Sequence, residues 1–379
     1  MRSIKEIDVK DKKVIVRVDY NVPIKNNVIL DDTRMVASLK TINYLLDKGA
    51  KVIILSHLGR IESLEDKEKN SLEIVAKHLS NLIHKPIYFI PVTRGEMLES
   101  AVSNLQNGEV LVVENTRFED YPKKLESSCD EILSKYWASL GDIFVLDAFG
   151  SAHRCHASTY GISEYLPSYS GFLIDAEVKM LDESIHKKKT LVLGGSKVED
   201  KLGVIDNLIG TSDYVLLGGA MCFTFLKAKG YSVGNSIVSE EKIDYCKNIL
   251  DTENDKIILP DDIVTQNGVK DIDNLNLEDI GYDIGPKTIK KYKEILSKSK
   301  FVLWNGPLGK YEEETYENGT KELMKYLSDN KIKTLIAGGD IISASKKFSV
   351  SFDLVSTGGG STLEYLEGKK FKTLERLNG

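Results

Sequence analysis

Arginine and histidine residues collect behind short apolar runs in the first half of the chain. Asp19 and Asn21 follow "VIVRV", and Ser56-His57-Leu58-Gly59-Arg60 follows "KVIIL". Glu114-Asn115-Thr116-Arg117 closes the run that starts at Val110, and "DAFGSAHRCH", with His153, Arg154 and His156, closes the run that starts at Ile143. Arg34 stands in "DDTR", just ahead of a helical stretch. A guanidinium fork suits bidentate contacts to phosphate or carboxylate. A single arginine could simply pair with a nearby Asp or Glu. Four of them, with three histidines, at successive run ends describe a positive pocket that would focus a small anion.

The second half places glycines at the equivalent points. They occur in "GGSKVEDK" (Gly194 to Lys201), "GGAM" (Gly218 to Met221), "WNGPLGKYE" (Trp304 to Glu312), "GGD" (Gly338 to Asp340) and "TGGGST" (Thr357 to Thr362). Glycine lets backbone N–H groups approach a phosphate, and a helix starting there adds its positive end. Tight packing would explain any one pair, but the series, with Lys197 and Lys201, favours a nucleotide-phosphate site. G-x-x-x-x-G-K-[ST] is absent, no G-x-G-x-x-G opens a helix, and the catalytic-loop and D-F-G pair of protein kinases is missing. His153 and His156 have no partner at metal-ligand spacing. An anion pocket in one half and a nucleotide pocket in the other suggest phosphoryl transfer across an interdomain cleft.

The elements that must position these residues alternate. β-branched runs at 14–18, 51–55, 87–90, 110–114 and 143–147 are each followed by a longer stretch with helical spacing. After a break come "TLVLG", "YVLLG" from Tyr214, "KIIL", "FVLW", "TLIA" and "DLVS". Such runs suit strands covered on both faces, and the alternation suggests parallel βαβ units. Eleven strands exceed what one doubly wound sheet usually carries. The fold class expected is therefore α/β, with two Rossmann-like parallel-sheet domains joined by a helix and the active site in the cleft between them. The boundaries expected are 1–165 for the first domain, 166–189 for linker and helix, and 190–363 for the second. Lys187–Lys189 reads as a solvated helix end that favours the C-terminal dipole.

Composition removes other classes. Hydrophobic residues make up 41% and charged residues 28%, as in a globular protein, and the net charge of −6 argues against a nucleic-acid binder. No apolar run reaches membrane-spanning length, and the start lacks the apolar core of a secretory signal. Four cysteines without C-x-x-C spacing read as reduced thiols, hence a cytoplasmic setting.

The motifs together resemble one family along nearly the whole chain, phosphoglycerate kinase. The matches are "RVDYNVP" with "DDTR", "SHLGR", "ENTRF", "DAFGSAHRCHAST", "LGGSKVEDK", "GGAMCFTFLK", "WNGPLGKYE", "GGD" and "STGGGSTLEYLEGK". The resemblance implies a glycolytic, Mg²⁺-dependent, hinge-bending monomer that interconverts 1,3-bisphosphoglycerate and ADP with 3-phosphoglycerate and ATP. It implies Asp19, Asn21, Arg34, His57, Arg60, Arg117 and Arg154 as ligands of the phosphoglycerate. On the nucleotide side it implies Lys197, Lys201, Gly218, Gly285, Gly306, Glu312, Gly338, Gly339, Asp340 and Ile341, with Asp340 also holding the metal. Arg34, Lys197 and the backbone around Gly338 and Gly359 would carry the catalysis, and the tail 364–379 would return to the first domain. Departures from the family pattern are Ile61, Ala337, Ile341, Lys310 and a tail without Pro-Gly. An NAD-linked dehydrogenase, which lacks its fingerprint here, and a non-enzymatic anion-binding protein are the rival readings.

Overall fold

A computed structural model describes residues 1–253 and 255–378. The chain divides into two compact units, Met1–Lys179 with Lys370–Gly379, and Met180–Lys369. The division falls inside one helix, Phe172–His186, rather than in a loop.

In the first unit the strands are β1 Lys13–Val18, β2 Ile24–Lys25, β3 Val28–Ile29, β4 Lys51–Leu55, β5 Ile87–Ile90, β6 Val110–Val113, β7 Ile143–Asp147 and β8 Ser168–Ser170. Six of them form a parallel sheet in the order β5-β6-β4-β1-β7-β8. The central strands are buried along nearly their whole length, which is why they read as continuous apolar runs. Helix Thr33–Asp47 covers this sheet with a stripe at helical spacing that includes Met35, Ile42, Leu45 and Leu46. From β1 the chain moves outward through β4 to the edge, returns through β6, and crosses to β7 on the other side of β1. That reversal opens a crevice beyond the carboxyl ends of β1 and β7.

The second unit contains β9 Lys189–Leu193, β10 Ser212–Leu217, β11 Ile257–Ile258, β12 Asp262–Thr265, β13 Gly268–Asp271, β14 Gly281–Ile284, β15 Val302–Asn305, β16 Thr334–Ala337 and β17 Leu354–Ser356. Its parallel sheet runs β11-β10-β9-β15-β16-β17, the doubly wound order, with its reversal between β9 and β15. Strands β13-β12-β14 form a small antiparallel sheet beside it.

All eleven expected runs carry strands. Strand β8 lies in "YLPSYSGF", which reads as a break. Its Ser-Tyr-Ser sequence has no β-branched residue, yet it pairs parallel to β7 from Phe144↔Ser168 to Leu146↔Ser170. Lys189 corrects a second expectation. Lys187 and Lys188 are solvated, but Lys189 is buried and opens β9. Its ammonium reaches Ile185 O at 2.9 Å and Thr211 Oγ1 at 2.6 Å, so backbone and hydroxyl oxygens replace water. The chain returns to the first unit at Lys370, where Thr373 Oγ1 donates to Ala152 O and Arg376 Nε donates to Ser163 O at 3.2 Å. Residues 364–369 stay with the second unit, and Asn207 Nδ2 donates to Leu366 O at 2.7 Å. Among the described residues no helix is long and apolar enough to cross a membrane.

Candidate active site

In the first unit, Asp19 and Asn21 leave β1 beside Arg34 in the first turn of helix Thr33–Asp47. Arg34 Nη1 donates to both carboxylate oxygens of Asp19 and to Asn21 O, each at 3.2 Å. Asn21 Oδ1 accepts from Gly59 N at 2.9 Å, which fixes the loop after β4. Arg117 Nη1 donates to Gly59 O at 2.6 Å from the other side. Asn115 ties the same loop down, accepting from Leu58 N and donating to Leu58 O and Asn70 O.

His57 is the buried centre of this cluster. Its Nδ1 lies 3.2 Å from Arg17 Nη2. A guanidinium can only donate, so Nδ1 accepts and a neutral ring carries its proton on Nε2. Burial, then the charges of Arg17, Arg117, Arg154 and Arg34, hold His57 well below the ordinary imidazole range. One ring therefore feels four guanidinium groups. Arg60, exposed, acts on Arg117 and brings a fifth into the same field. Arg154 is also exposed and donates from Nε to His153 Nε2 at 2.9 Å.

Sequence reading missed Arg17. It sits inside the apolar run of β1, buried to 1% exposure, and that anomaly was its signal. Its Nε donates to Ser158 Oγ at 2.7 Å and its Nη1 donates to Val18 O. Glu126, fully buried, accepts from Ser158 N at 3.0 Å and from Ser158 Oγ. Burial raises Glu126 and lowers Arg17, while each charge supports the other. Five guanidinium groups thus face three nearby carboxylates, Asp19, Asp120 and Glu126. The surplus of positive charge is what a multiply charged anion requires.

The second unit builds its site from backbone. Three turns interlock at the sheet reversal. Gly195 N donates to Pro307 O at 2.8 Å, Gly219 N to Leu308 O at 2.8 Å, and Met221 N to Gly195 O at 3.1 Å. A Cβ on Gly194 would lie 2.0 Å from Pro307 O, and one on Gly306, whose φ is +80°, would lie 2.3 Å from Gly194 O. Gly218 packs against Leu308, and Gly285 against the Asp262 carboxylate at a helix start. These glycines serve close packing. Gly339 and Gly359 differ, since a Cβ there would meet nothing within 4 Å. Gly338 and Gly359 take positive φ immediately before helices Gly339–Lys347 and Gly360–Leu366, leaving backbone amides open.

Around those openings, Lys197, Asp340 and Glu312 are exposed, and Lys201 is buried. Burial lowers Lys201, while Asp200, Asp340 and Glu367 oppose it. Asn305, at the end of β15, is buried, donates to Ala337 O, and keeps an Oδ1 without a partner among the described residues. That side chain was also missed. Ile341 is fully buried in the core of the unit, so its side chain is turned from any ligand and only its main chain is available. Lys310 pairs with Glu313 in solvent and lies over the Tyr282 ring. No group of three His, Cys, Asp or Glu suited to a metal exists among the described residues.

The sequence matches the family model described as phosphoglycerate kinase over residues 4–369. It is 49% identical over 380 residues to the phosphoglycerate kinase of Lacticaseibacillus casei strain BL23, covering 97% of this chain and 96% of that one. It is 46% identical over 395 residues to that of Enterococcus faecalis, covering 100% and 99%. Among solved structures, phosphoglycerate kinase from Coxiella burnetii matches with a TM-score of 0.87 at 33% identity, covering 99% and 98%. The enzyme from Pyrococcus horikoshii matches with a TM-score of 0.88 at 31% identity, covering 100% and 98%.

Proposed function

The chain belongs to the phosphoglycerate kinase family, and from that premise we propose that it moves a phosphoryl group reversibly between 1,3-bisphosphoglycerate and ADP, giving 3-phosphoglycerate and ATP. It does so as a glycolytic, cytoplasmic monomer that uses Mg²⁺. The phosphoglycerate is held by Asp19, Asn21, Arg34, His57, Arg60, Arg117 and Arg154. The observation that carries this reading is the convergence of Arg17, Arg34, Arg117 and Arg154 on the His57 ring. The nucleotide is held by the turns at Gly194–Lys201, Gly306 and Gly338–Asp340.

The accepting carboxylate has a pKa far below 7 and needs no base. His57 supports this, since its Nδ1 is engaged by Arg17 and only its Nε2–H remains to donate. Positioning and charge neutralisation then carry the catalysis. Arg34 and Lys197 each offer a cation to the phosphoryl oxygens, and the backbone at the helix starts that follow Gly338 and Gly359 adds N–H donors. A lone exposed Asp340 fits a hard cation that keeps most ligands as water and phosphate oxygens. When bound, Mg²⁺ would supply charge neutralisation on those oxygens, with Asp340 as its protein ligand. With one substrate on each unit, transfer requires them to meet through a hinge movement.

The test is ATP formation from 1,3-bisphosphoglycerate and ADP, followed with Mg²⁺ and with a chelator. ATP formed only with Mg²⁺ supports the reading. ATP formation that is absent under both conditions refutes it.

A further inference from the structure

Four buried side chains of the first unit, Glu126, Ser158, Arg17 and His57, stand in one hydrogen-bonded row. Glu126 accepts from Ser158 N at 3.0 Å through Oε2 and from the Ser158 hydroxyl through Oε1. With its proton given to Glu126, the Ser158 oxygen accepts from Arg17 Nε at 2.7 Å. Arg17 Nη1 donates to Val18 O, and Arg17 Nη2 donates to His57 Nδ1 at 3.2 Å. Each of the three guanidinium nitrogens therefore has its own acceptor, which fixes the plane of the group.

Glu126 and Ser158 are 0% exposed and Arg17 is 1% exposed. Apolar residues would fill such positions at less cost than a buried ion pair, so stability alone does not account for the row. What the row does is give every proton one direction. A carboxylate accepts and a guanidinium donates, so the hydroxyl between them points one way, and His57 Nδ1 is left to accept. Asp19 Oδ1 lies 4.0 Å from the same Nδ1 and would favour a proton there if Arg17 turned away. Burial and the charges of Arg17, Arg117, Arg154 and Arg34 keep the ring neutral, so the row decides its tautomer rather than its charge.

We propose that Glu126 and Ser158 are positioning residues that act through Arg17 to hold the His57 ring in its Nε2–H form, as a fixed donor to an oxygen of the bound anion. A carboxylate or phosphate oxygen accepts only, so it matches a donor that cannot reverse. The opposite tautomer would set an Nε2 lone pair against that oxygen and leave both without a proton.

This inference rests on the proposed binding of phosphoglycerate by the first unit, and its test has an arm that does not. The first arm is NMR of the ring nitrogens in protein carrying isotope-labelled histidine, without ligands, with the His57 signals assigned by their loss in His57→Gln. A protonated Nε2 in the parent, and a shift toward the opposite tautomer in Ser158→Ala, support the row even if the parent forms no ATP. A protonated Nδ1 in the parent, or ring signals unmoved in Ser158→Ala, overturns it. The second arm is calorimetric binding of 3-phosphoglycerate. Ser158→Ala should raise its Kd by about tenfold in the parent but by less than about twofold in a His57→Gln background, where a side-chain amide keeps a donor that needs no tautomer. A Kd unchanged in Ser158→Ala, or an equal loss in both backgrounds as a merely structural hydroxyl would give, overturns the proposal. A parent that binds no 3-phosphoglycerate counts against the proposed function, and the first arm then decides alone. Should Ser158→Ala fail to fold, Glu126→Gln, which keeps the volume but removes one acceptor, decides both arms.

Discussion

On the proposed reading, the two half-sites hold phosphate by different means. The first unit uses side chains. Arg60, Arg117 and Arg154 follow strand ends, Arg34 stands in the first turn of a helix, and a buried layer of Arg17, Glu126, Ser158 and His57 supports them. The second unit uses main chain, with glycine turns pressed together at the reversal of the sheet and open amides where helices begin. A side-chain site stores its cost in buried charges, whereas a main-chain site stores it in close packing. Substitutions should therefore damage the two units in different ways.

Arg17 gives the largest contrast. Arg17→Met leaves Glu126 buried without its cation and Ser158 without its donor, so stability should fall by about 3–5 kcal/mol. Denaturant unfolding measures this, and ADP affinity of the folded fraction should be retained. A loss below about 1 kcal/mol would remove the buried layer from the account. Next is chemistry without stability. Lys197→Ala and Arg34→Ala should each lower kcat by roughly 10²–10³, with melting temperatures close to the parent. Near-normal turnover in Lys197→Ala would contradict its assignment.

The glycines sharpen the comparison inside the second unit. Gly194→Ala pushes a methyl into Pro307 O and should destabilise by about 1–3 kcal/mol. Gly339→Ala meets open space and should leave stability unchanged while weakening ADP binding in calorimetry. Equal stability losses would erase the distinction between packing and open glycines. The smallest effect concerns pH. His57 is held neutral because burial and four cations oppose its protonation, so its charged form appears only well below its ordinary range. The pH profile of kcat/KM should show no ionisation of His57 between about 6 and 8. An inflection there that disappears in His57→Gln would show the ring to be titrating.

Stability should carry a related signature from Asp147. Its folded pKa of about 7 exceeds that of the unfolded carboxyl, so the folded state binds more protons between the two values. Its contribution is fully present below about pH 4 and is lost as pH rises toward 7. Asp147→Asn should flatten that slope in denaturant titrations across pH 4–7. An unchanged slope would remove Asp147 as its source.

Much of this was legible in the residues. Parallel strands buried on both faces leave continuous apolar runs, so every strand of the two large sheets except β8 could be read directly. Strand β8 could not, because Ser168 and Ser170 are held by neighbours rather than by propensity. The arginines at strand ends were readable because β1, β4, β6 and β7 point their carboxyl ends the same way. The layer beneath was not. Glu126 and Ser158 are distant in sequence from Arg17 and meet it only through the fold. The glycine turns were visible as a group, but their division into packing and open positions depends on neighbours such as Pro307 and Asn305. Lys189 misled because a basic run after a helix resembles a solvated end, whereas its third lysine turns inward.

The central claim is that one phosphoryl group passes directly between a phosphoglycerate held by arginines and a nucleotide held by backbone. A single-turnover experiment with 1,3-bisphosphoglycerate labelled in its acyl phosphate, mixed with the protein, Mg²⁺ and ADP, tests it most directly. The account predicts that the label appears in the γ-phosphate of ATP and that labelled ATP forms more slowly by roughly 10²–10³ in Lys197→Ala. Label released as inorganic phosphate, with ATP unlabelled, would contradict it.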